Sequence, residues 1–393
     1  MNFKILHQDS HTRVAQLRTP HGVIETPSFN PCGTQGSVKA LSPKDLKEIG
    51  VQVILGNTYH LSLRPGADLI KKLGGLHKFI GWDGPIMTDS GGFQVLSLGI
   101  GLEHGIGKFL QDEYSAPKQR LNKISEEGVT FQSHLDGSKQ FLSPEKSIQI
   151  QLTLGADLLV AFDDLESPKY SHEETLKSLE LTERWELRSK AEHDKKCNPK
   201  KCQHILYGVT HGGSFKDLRE RSAKFVDQNF NGIAFGGAHK DRKNLYQVVE
   251  WTVANISPGK PRHFLGIGEV EDIFESVERG IDLFDCVAPT RRARNGSLYI
   301  SPKSGGNRKN SFTLAIRQSK FISDKKPIDS GCSCYTCQNF SRAYLRHLLA
   351  SNEILYHNLA SYHNVYFMTK LMKQIRGSIK KGEFGRLKKQ WLV

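Results

Sequence analysis

The sequence predicts an α/β protein whose centre is a (β/α)8 barrel, the TIM barrel. From residue 51 onward, short apolar segments alternate with helical patterns, and this alternation indicates βα units and a parallel sheet. Eight such segments occur, the number of strands that closes a TIM barrel. The predicted strands span residues 51–56, 85–89, 129–135, 157–163, 204–210, 232–236, 263–267 and 282–287.

Nearly every predicted strand runs directly into a polar residue or a glycine at its C-terminal end. In a (β/α)8 barrel these ends meet on one face, where the active site lies. An open doubly wound sheet is the alternative, but it would normally have a glycine-rich phosphate turn after its first strand. The glycines in residues 99–105 have the wrong spacing for that turn. The end residues are Asn57, Asp89, Asp136, Asp163, His211, Gly237, Gly268 and Asp285.

The segment before the barrel predicts an N-terminal antiparallel β cap. Residues 1–35 alternate apolar and polar positions, with turn signals at Asp9-Ser10 and at Pro20-His21-Gly22. Within the barrel, we expect one helix to open at Ser143-Pro144 and another to span residues 269–279.

The charge balance predicts a polyanionic partner. Lys and Arg number 55 against 41 for Asp and Glu, so the 393-residue chain has a net charge of +14 at pH 7. Charge alone does not distinguish RNA, DNA and a membrane surface. Residues 1–14 contain no apolar signal core, and no apolar run approaches the roughly 18 residues of a membrane span. We therefore expect a soluble, cytoplasmic protein with no membrane partner.

Two segments depart from the barrel pattern. Residues 99–127 are rich in Gly, Lys and Glu, which suits either a lid over the barrel or an insertion without fixed structure. The segment from Lys370 to Lys389 carries many cations on a helical pattern. It is either a solvated helix face or a surface that contacts the RNA backbone.

Cysteine spacing predicts a metal site. Three of the seven cysteines lie within six residues, a crowding that suits one metal ion better than disulfide geometry, and structural disulfides are not expected in a cytoplasmic protein. A structural zinc site needs four protein ligands, and His347, His357 and His363 are candidates for the fourth. Four protein ligands leave no open position, so we expect one structural Zn²⁺ per chain. The three cysteines are Cys332, Cys334 and Cys337.

These regions together predict one catalytic domain with three parts. Residues 1–35 form the β cap, residues 51–300 the barrel strands and helices, and residues 301–393 a zinc-binding subdomain with C-terminal helices. The carboxylates at the strand ends suit chemistry at an anomeric carbon, where one carboxylate attacks and another moves a proton. Asp136 is the weakest of them, since Asp136-Gly137 is also a turn signal.

Six ordered motifs resemble the signature segments of tRNA-guanine transglycosylases. The spacing of the cysteine cluster, followed after 25 residues by His363, resembles the zinc site of that family. The resemblance covers essentially the whole chain and implies a (β/α)8 barrel with a zinc-binding insertion. The motifs are Asn57-Thr58-Tyr59-His60-Leu61, Arg64-Pro65-Gly66, Thr88-Asp89-Ser90-Gly91-Gly92-Phe93-Gln94, Ser133-His134-Leu135-Asp136-Gly137, Phe284-Asp285-Cys286-Val287 and Pro289-Thr290-Arg291.

The resemblance implies a reaction and a role for each matching residue. Asp285 matches the nucleophile that attacks the ribose anomeric carbon and expels guanine, and Asp89 matches the general acid/base. The incoming base is a 7-substituted 7-deazaguanine, either queuine or 7-aminomethyl-7-deazaguanine, in queuosine modification of tRNA. Positions that bind the base match Ser90, Asp163, His211, the Gly237 backbone, Phe93 and Leu265.

The same resemblance implies the partners. Thr290, Arg291 and Arg294 match the segment that binds the U-G-U bases and phosphates of the anticodon, a task that suits guanidinium donors. The metal ligands are Cys332, Cys334, Cys337 and His363. Family membership also implies a homodimer, in which one subunit catalyses while its partner helps to hold the tRNA.

Three departures from the family pattern affect the base pocket. His211 stands where a Gln is usual, and Leu165 stands where bacterial members have Cys and eukaryotic members have an aliphatic residue. Residues 236–240 end in Lys240, where the family usually continues to a Glu. A lysine facing the pocket would disfavour the protonated aminomethyl base, whereas a lysine in solvent would not.

Three other functions are weaker alternatives. A zinc-dependent hydrolase on this barrel would need clustered histidines at the strand ends, and the sequence has none there. A non-catalytic tRNA-binding subunit would not need both Asp89 and Asp285. A DNA-modifying enzyme would not need the Pro289-Thr290-Arg291 anticodon segment.

Overall fold

The computed structural model describes residues 2–94, 122–197, 202–237 and 239–392. Most of residues 99–127, interpreted above as a lid or an insertion, lie outside the described residues. The strands are β1 (Phe3–Asp9), β2 (Thr12–Thr19), β3 (Gly22–Thr26), β4 (Ser28–Gly33), β5 (Ile54–Gly56), β6 (Ile86–Thr88), β7 (Lys123–Ser125), β8 (Gly128–Gln132), β9 (Lys139–Leu142), β10 (Leu158–Val160), β11 (Ile205–Thr210), β12 (Gly232–Phe235), β13 (Arg262–Phe264), β14 (Leu283–Cys286), β15 (Ser297–Tyr299) and β16 (Thr313–Ala315).

Helices alternate with the barrel strands and continue beyond them. Three short 3-10 helices, Pro302–Ser304, Arg308–Asn310 and Ser319–Phe321, lie between the barrel and the cysteine cluster. The α-helices are α1 (Pro43–Ile49), α2 (Thr58–Leu63), α3 (Ala67–Lys72), α4 (Gly75–Ile80), α5 (Pro144–Leu154), α6 (His172–Lys196), α7 (Lys216–Asn229), α8 (Arg242–Val253), α9 (Val270–Glu278), α10 (Ala288–Arg294), α11 (Tyr335–Asn339), α12 (Arg342–Ala350), α13 (Ile354–Lys380) and α14 (Phe384–Leu392).

The predicted barrel is confirmed as a closed, parallel, eight-stranded sheet. Its order is β4-β5-β6-β10-β11-β12-β13-β14, and β14 pairs with β4 to close the ring. Apolar side chains such as Leu55, Met87, Val160 and Leu283 fill the interior and are fully or almost fully buried. The barrel is therefore a packed core and not a pore. Burying one such side chain contributes roughly 1.5–3 kcal/mol to the stability of the fold.

Two of the strand assignments made from the sequence are wrong. The segment predicted as the third barrel strand, residues 129–135, forms β8, the middle strand of an antiparallel sheet with β7 and β9. The barrel instead includes β4, which the sequence analysis placed in the β cap. Asp136 therefore lies in the β8–β9 turn and not at the end of a barrel strand. There it is exposed and accepts a hydrogen bond from the backbone N of Ser138 at 3.1 Å.

The β cap is the antiparallel sheet β1-β2-β3, and a buried ion pair fixes it to the barrel. Arg13 of β2 donates from Nε to Asp282 Oδ1 at 2.9 Å and from Nη2 to Asp282 Oδ2 at 2.5 Å. Both side chains are almost fully buried. Removing one member of such a pair costs roughly 3–5 kcal/mol, because the other charge is left buried and unpaired.

Both helices predicted inside the barrel are confirmed. Helix α5 begins after Ser143, whose hydroxyl accepts from the backbone N of Lys146, and Pro144 occupies the first turn, where its missing N–H has no cost. Helix α9 spans Val270–Glu278, within the predicted range.

The long helix α13 connects the cysteine cluster to the barrel. Asn364 of α13 donates to the backbone O of Pro289 at 2.9 Å and accepts from the backbone N of Tyr299 at 2.9 Å. Tyr356 donates from its hydroxyl to the backbone O of Ala293 at 3.0 Å. These bonds hold α13 against β15 and against α10, the helix that follows the last barrel strand.

Several cations of the predicted basic segment make contacts within the chain. Arg376 donates to the backbone O of Pro27 at 2.6 Å, and Lys388 forms ion pairs with Glu275 and Glu278, both at 2.7 Å. This part of the segment therefore stabilises the fold. Among the described residues, no helix combines the length and the hydropathy that crossing a bilayer requires.

One cysteine pair contradicts the expectation that the chain has no disulfide. Cys197, at the end of α6, is bonded to Cys202, which precedes β11.

Candidate active site

Three carboxylates lie at the C-terminal ends of barrel strands, as the sequence predicted. Asp89 follows β6, Asp163 follows β10, and Asp285 is the second-last residue of β14. The C-terminal ends of parallel barrel strands share one face. The negative charges of Asp163 and Asp285 both act on Asp89, so the three side chains form one site.

Asp285 is held in place through one of its two carboxylate oxygens. Its Oδ1 accepts from the backbone N of Gly266 at 3.1 Å and lies 2.8 Å from Nε2 of His263, a fully buried side chain of β13. Its Oδ2 contacts only the thiol of Cys32, at 3.8 Å, among the described residues. A thiol is a weak donor. Oδ2 is therefore the oxygen with free lone pairs, as a nucleophile requires.

Asp89 is held at the start of α2. Asn57 donates from Nδ2 to Asp89 Oδ2 at 2.5 Å, and the backbone N of Thr58 donates to Oδ1 at 2.8 Å. Burial raises the pKa of Asp89 to about 7, opposed by the Thr58 backbone N–H and assisted by the charge of Asp285. A carboxyl group with this pKa exists in both protonation states near neutral pH, which suits a general acid/base.

Asp163 lies between a hydroxyl and an imidazole. Ser90 donates from Oγ to Asp163 Oδ1 at 3.0 Å, and His211 Nε2 lies 2.9 Å from Asp163 Oδ2. The other ring nitrogen of His211 lies 3.7 Å from Glu166 Oε1. Burial disfavours the charged imidazole, but the hydrogen bonds and charges of Asp163 and Glu166 outweigh it and raise the pKa of His211 to about 10. His211 is therefore cationic at neutral pH.

A buried network of Glu166 and Arg219 lies beside His211. Glu166 accepts from the backbone N of Gly212 at 2.9 Å, from that of Gly213 at 2.7 Å and from Arg219 Nη2 at 3.0 Å. Burial would raise the pKa of Glu166, yet the charges of Arg219 and His211 lower it to about 2. The network therefore holds a permanent anion beside the imidazole.

The remaining predicted base-pocket residues also follow barrel strands. Phe93 is 51% exposed and Leu265 is half-buried. Gly237 has φ +89°, and a Cβ there would lie 2.7 Å from Glu166 Oε1 and 2.8 Å from Arg219 Nη2. Only glycine fits this position, so its backbone can approach a ligand closely.

The residues that depart from the family pattern differ in how far they are buried. Leu165 is half-buried against the core, whereas Lys240 is exposed. Ala238, between Gly237 and Lys240, is outside the described residues.

The predicted RNA-binding segment is helix α10, directly after β14. Thr290 is buried, Arg291 is exposed, and Arg294 donates from Nε to the backbone O of Thr290 at 3.2 Å. Arg292 pairs with Glu269. Across the ranges that the structure describes, Arg291 and Arg294 form no ion pair, so no carboxylate neutralises their charges and both can attract an anionic ligand.

The four predicted metal ligands come together. His363 Nδ1 lies 3.8 Å from Cys332 Sγ, 3.5 Å from Cys334 Sγ and 3.3 Å from Cys337 Sγ, and all four residues are buried. His363 Nε2 lies 2.7 Å from the backbone O of Tyr299. A hydrogen bond from Nε2 leaves Nδ1 free for a metal. The structure therefore selects His363 over the two other candidate histidines.

Four site residues were missed by the sequence analysis. His263 and Cys32 contact Asp285, and Glu166 and Arg219 support His211. His263 is a polar residue within a buried barrel strand, which is a detectable signal. Arg219 lies in a helix with many charges, and no local pattern distinguishes it.

The chain is similar to one family over almost its full length. The sequence model described as queuine tRNA-ribosyltransferase matches residues 9–393. A putative queuine tRNA-ribosyltransferase of Archaeoglobus fulgidus is 45% identical, covering 100% of this chain and 99% of its own length. Queuine tRNA-ribosyltransferases of Caldanaerobacter subterraneus subsp. tengcongensis and of Fusobacterium nucleatum subsp. nucleatum are each 43% identical, over 100% of this chain and 97% of their own lengths. The protein with this barrel, these three strand-end carboxylates and this cysteine cluster belongs to the queuine tRNA-ribosyltransferase family.

Proposed function

We propose that this protein is a tRNA-guanine transglycosylase, a pentosyltransferase of queuosine modification. It exchanges the wobble guanine of a U-G-U-containing anticodon for a 7-substituted 7-deazaguanine. The observation that carries this proposal is the pairing of Asp285, which has one free oxygen, with Asp89, whose pKa is about 7. Family membership supports the same reaction.

In the first displacement, Oδ2 of Asp285 attacks C1′ of the ribose. The bond from C1′ to N9 of guanine breaks, and its electron pair leaves with the base. Protonated Asp89 donates its proton to the departing guanine. The products are free guanine and a covalent aspartyl-RNA ester.

In the second displacement, the deazaguanine occupies the position that guanine left. Asp89, now a carboxylate, removes the N9 proton of the incoming base, and N9 attacks C1′. The ester bond to Asp285 breaks, and the carboxylate is restored. Two inversions at C1′ retain the configuration of the sugar.

The base is held by polar groups at its edge and apolar side chains on its faces. Asp163 and Ser90 bind the edge, together with the Gly237 backbone, while Phe93 and Leu265 cover the two faces. His211 contributes mainly through its bond to Asp163, because both of its ring nitrogens face carboxylates. A base can enter such a pocket only after leaving its stack.

The tRNA backbone is held by α10. Thr290, Arg291 and Arg294 belong to the segment that binds the U-G-U bases and phosphates of the anticodon, and the two guanidinium groups bind phosphates or base edges. A cytoplasmic location follows from this tRNA substrate.

Zinc is the metal that best fits the C-terminal cluster. Three thiolates and one imidazole form the donor set of a structural zinc site with no open position. Cys332, Cys334, Cys337 and His363 would hold the ion and fix α11 against α13. None of the metal-capable clusters in the described part of the chain includes a residue from the barrel mouth, which argues against a zinc-dependent hydrolase.

A homodimer is supported by aromatic side chains beside this cluster. Tyr335 is 55% exposed and Tyr344 39% exposed, and the ring of Phe340 contacts both. Aromatic residues are enriched in protein interfaces. Analytical ultracentrifugation tests this: we expect Tyr335→Ala to weaken the dimer.

A base-exchange assay with labelled guanine and the purified chain tests the reaction. We expect the label to be incorporated into tRNA through the covalent aspartyl-RNA intermediate. The absence of incorporation under conditions where tRNA binds would favour a non-catalytic subunit. The identity of the base is tested by competition kinetics. Lys240 is exposed, so its charge stays in solvent. We therefore expect the half-buried side chain of Leu165 to decide between the two incoming bases, with queuine favoured. A specificity constant at least roughly tenfold higher for the aminomethyl base, about 1.4 kcal/mol, would contradict that preference.

A further inference from the structure

A second group of cysteines and histidines lies outside the active site and outside the Cys332 cluster, which consists of Cys332, Cys334, Cys337 and His363. His193, Cys197, Cys202 and His204 offer two sulfurs and two ring nitrogens, all within 4.8 Å of one another. His193 is buried and the other three are half-buried. The group joins the end of α6 to the residues that precede β11.

The sulfur-to-nitrogen distances in this group match those of a metal site. Cys197 Sγ lies 3.5 Å from His204 Nδ1, and Cys202 Sγ lies 3.6 Å from both His204 Nδ1 and His193 Nε2. A tetrahedral zinc ion with Zn–S of about 2.3 Å and Zn–N of about 2.0–2.1 Å separates S and N ligands by about 3.6 Å. The corresponding distances in the Cys332 cluster are 3.3–3.8 Å.

The histidine at the helix end is oriented for this purpose by a neighbouring carboxylate. Nδ1 of His193 lies 3.1 Å from Asp194 Oδ1, and Lys190 donates to Asp194 Oδ2 at 2.5 Å. A carboxylate bound to one ring nitrogen fixes the tautomer and raises the basicity of the other nitrogen. Nε2, which faces Cys202, is therefore the nitrogen with a free lone pair.

We propose that His193, Cys197, Cys202 and His204 form a second, structural zinc site in the reduced protein. Two thiolates and two imidazoles are a donor set that selects zinc. The group precedes β11, so it lies at the N-terminal end of a barrel strand, opposite the face that carries the three carboxylates. The site fixes the end of α6 to the barrel and takes no part in base exchange.

Occupation of this site requires reduction, because Cys197 and Cys202 are bonded to each other. Two equivalents of a small-molecule thiol supply two electrons, which break the S–S bond, and the thiol is oxidised to its own disulfide. The two cysteines then bind Zn²⁺ as thiolates and release two protons. The disulfide and the zinc site are thus alternative states of the same two sulfurs.

Metal stoichiometry of the full chain tests the proposal. The protein is reduced with excess thiol without oxygen, equilibrated with Zn²⁺, freed of unbound ion and analysed by mass spectrometry for metal. We expect about two ions per chain, and about one in the Cys197→Ser/Cys202→Ser variant. His172→Gln, an exposed histidine at the other end of α6, is the matched control and should keep about two. About one ion in reduced wild type, with both thiols free by thiol titration, would overturn the proposal.

A second variant separates metal binding from disulfide formation. His193→Gln keeps both cysteines and so should still form the disulfide on oxidation, but it should lose the second ion. Cobalt substitution supplies an independent readout, because the difference spectrum between wild type and the double serine variant should be that of a tetrahedral ion with two thiolates. Retention of the second ion in His193→Gln would show that the group does not bind metal as proposed. Circular dichroism checks that each variant is folded.

Discussion

The barrel mouth and the C-terminal cysteine cluster use polar side chains in opposite ways. At the mouth, Asp89 is half-buried beside like charges, and desolvation raises its pKa to about 7. In the cluster, the four donor atoms converge on one point and His363 is fixed by the Tyr299 carbonyl. A group near its titration point can exchange protons, whereas a closed set of ligands resists change. Substitutions at the mouth should therefore alter the rate and leave the fold intact, and substitutions in the cluster should do the reverse.

The largest expected effect is at Asp285, the proposed nucleophile. Asp285→Asn should reduce base exchange by at least roughly a thousandfold, because an amide is nearly isosteric with the carboxylate but a poor nucleophile. Binding of tRNA should stay within a factor of about two, since α10 is unchanged. Asp136→Asn, in the exposed β8–β9 turn, is the matched control and should retain activity. Trapping of a covalent RNA adduct with Asp285→Asn would refute the assignment.

Substitutions in the C-terminal cysteine cluster should lower the stability of the protein. Cys334→Ala removes one of four ligands, and we expect it to lose the ion and to lower the free energy of unfolding by roughly 3 kcal/mol or more. The activity of the remaining folded fraction should be close to that of wild type. Ser333→Ala, at an exposed neighbouring position, provides the control. If Cys334→Ala were as stable as wild type but inactive, the cluster would act in the reaction and not in the stability of the fold.

The pKa of Asp89 predicts how the first displacement depends on pH. The acid form must donate the proton, so guanine release in single-turnover measurements should fall roughly tenfold per pH unit above about pH 7. The pKa is raised in the folded protein, so the unfolded chain ionises first. Burial of Asp89 therefore lowers stability progressively as the pH rises from the ordinary value towards 7.

An NMR titration of the Asp89 carboxyl group sharpens this prediction. Removing the charge at position 285 in Asp285→Asn should lower the pKa of Asp89, because that charge contributes to the upward shift. An unchanged pKa would mean that the two carboxylates do not interact.

The smallest expected effect concerns His211. His211→Gln replaces a cation by a neutral amide, so Asp163 loses a charge-assisted hydrogen bond that should be worth about 1.4 kcal/mol, or roughly tenfold in the KM for the incoming base. The rate constant for guanine release should change less, because His211 touches neither Asp89 nor Asp285. His172→Gln serves as the histidine control. An equal loss in both constants would indicate a general disturbance of the mouth.

The barrel itself could be predicted, but not every strand in it. A short apolar segment predicts a strand but does not show which strand it pairs with. Residues 128–132 have the same pattern as the barrel strands, although they pair in an antiparallel sheet. Strand β4 lies within residues 1–35, which were assigned as a whole to the β cap. Pro31 lies inside this strand, although proline is unusual within a central strand. In the structure, Pro31 pairs in register with Cys286 of the parallel neighbour β14.

The sequence by itself determined the fold class, the strand-end positions of Asp89, Asp163 and Asp285, and the three clustered cysteines. These features depend on short spacings and on the rule that parallel strands end on one face. Only the tertiary structure decided that His263 contacts Asp285 and that Glu166 and Arg219 support His211. Each of these contacts joins residues from different elements, and the order in which the strands close the barrel brings those elements together. Local sequence patterns do not contain that order.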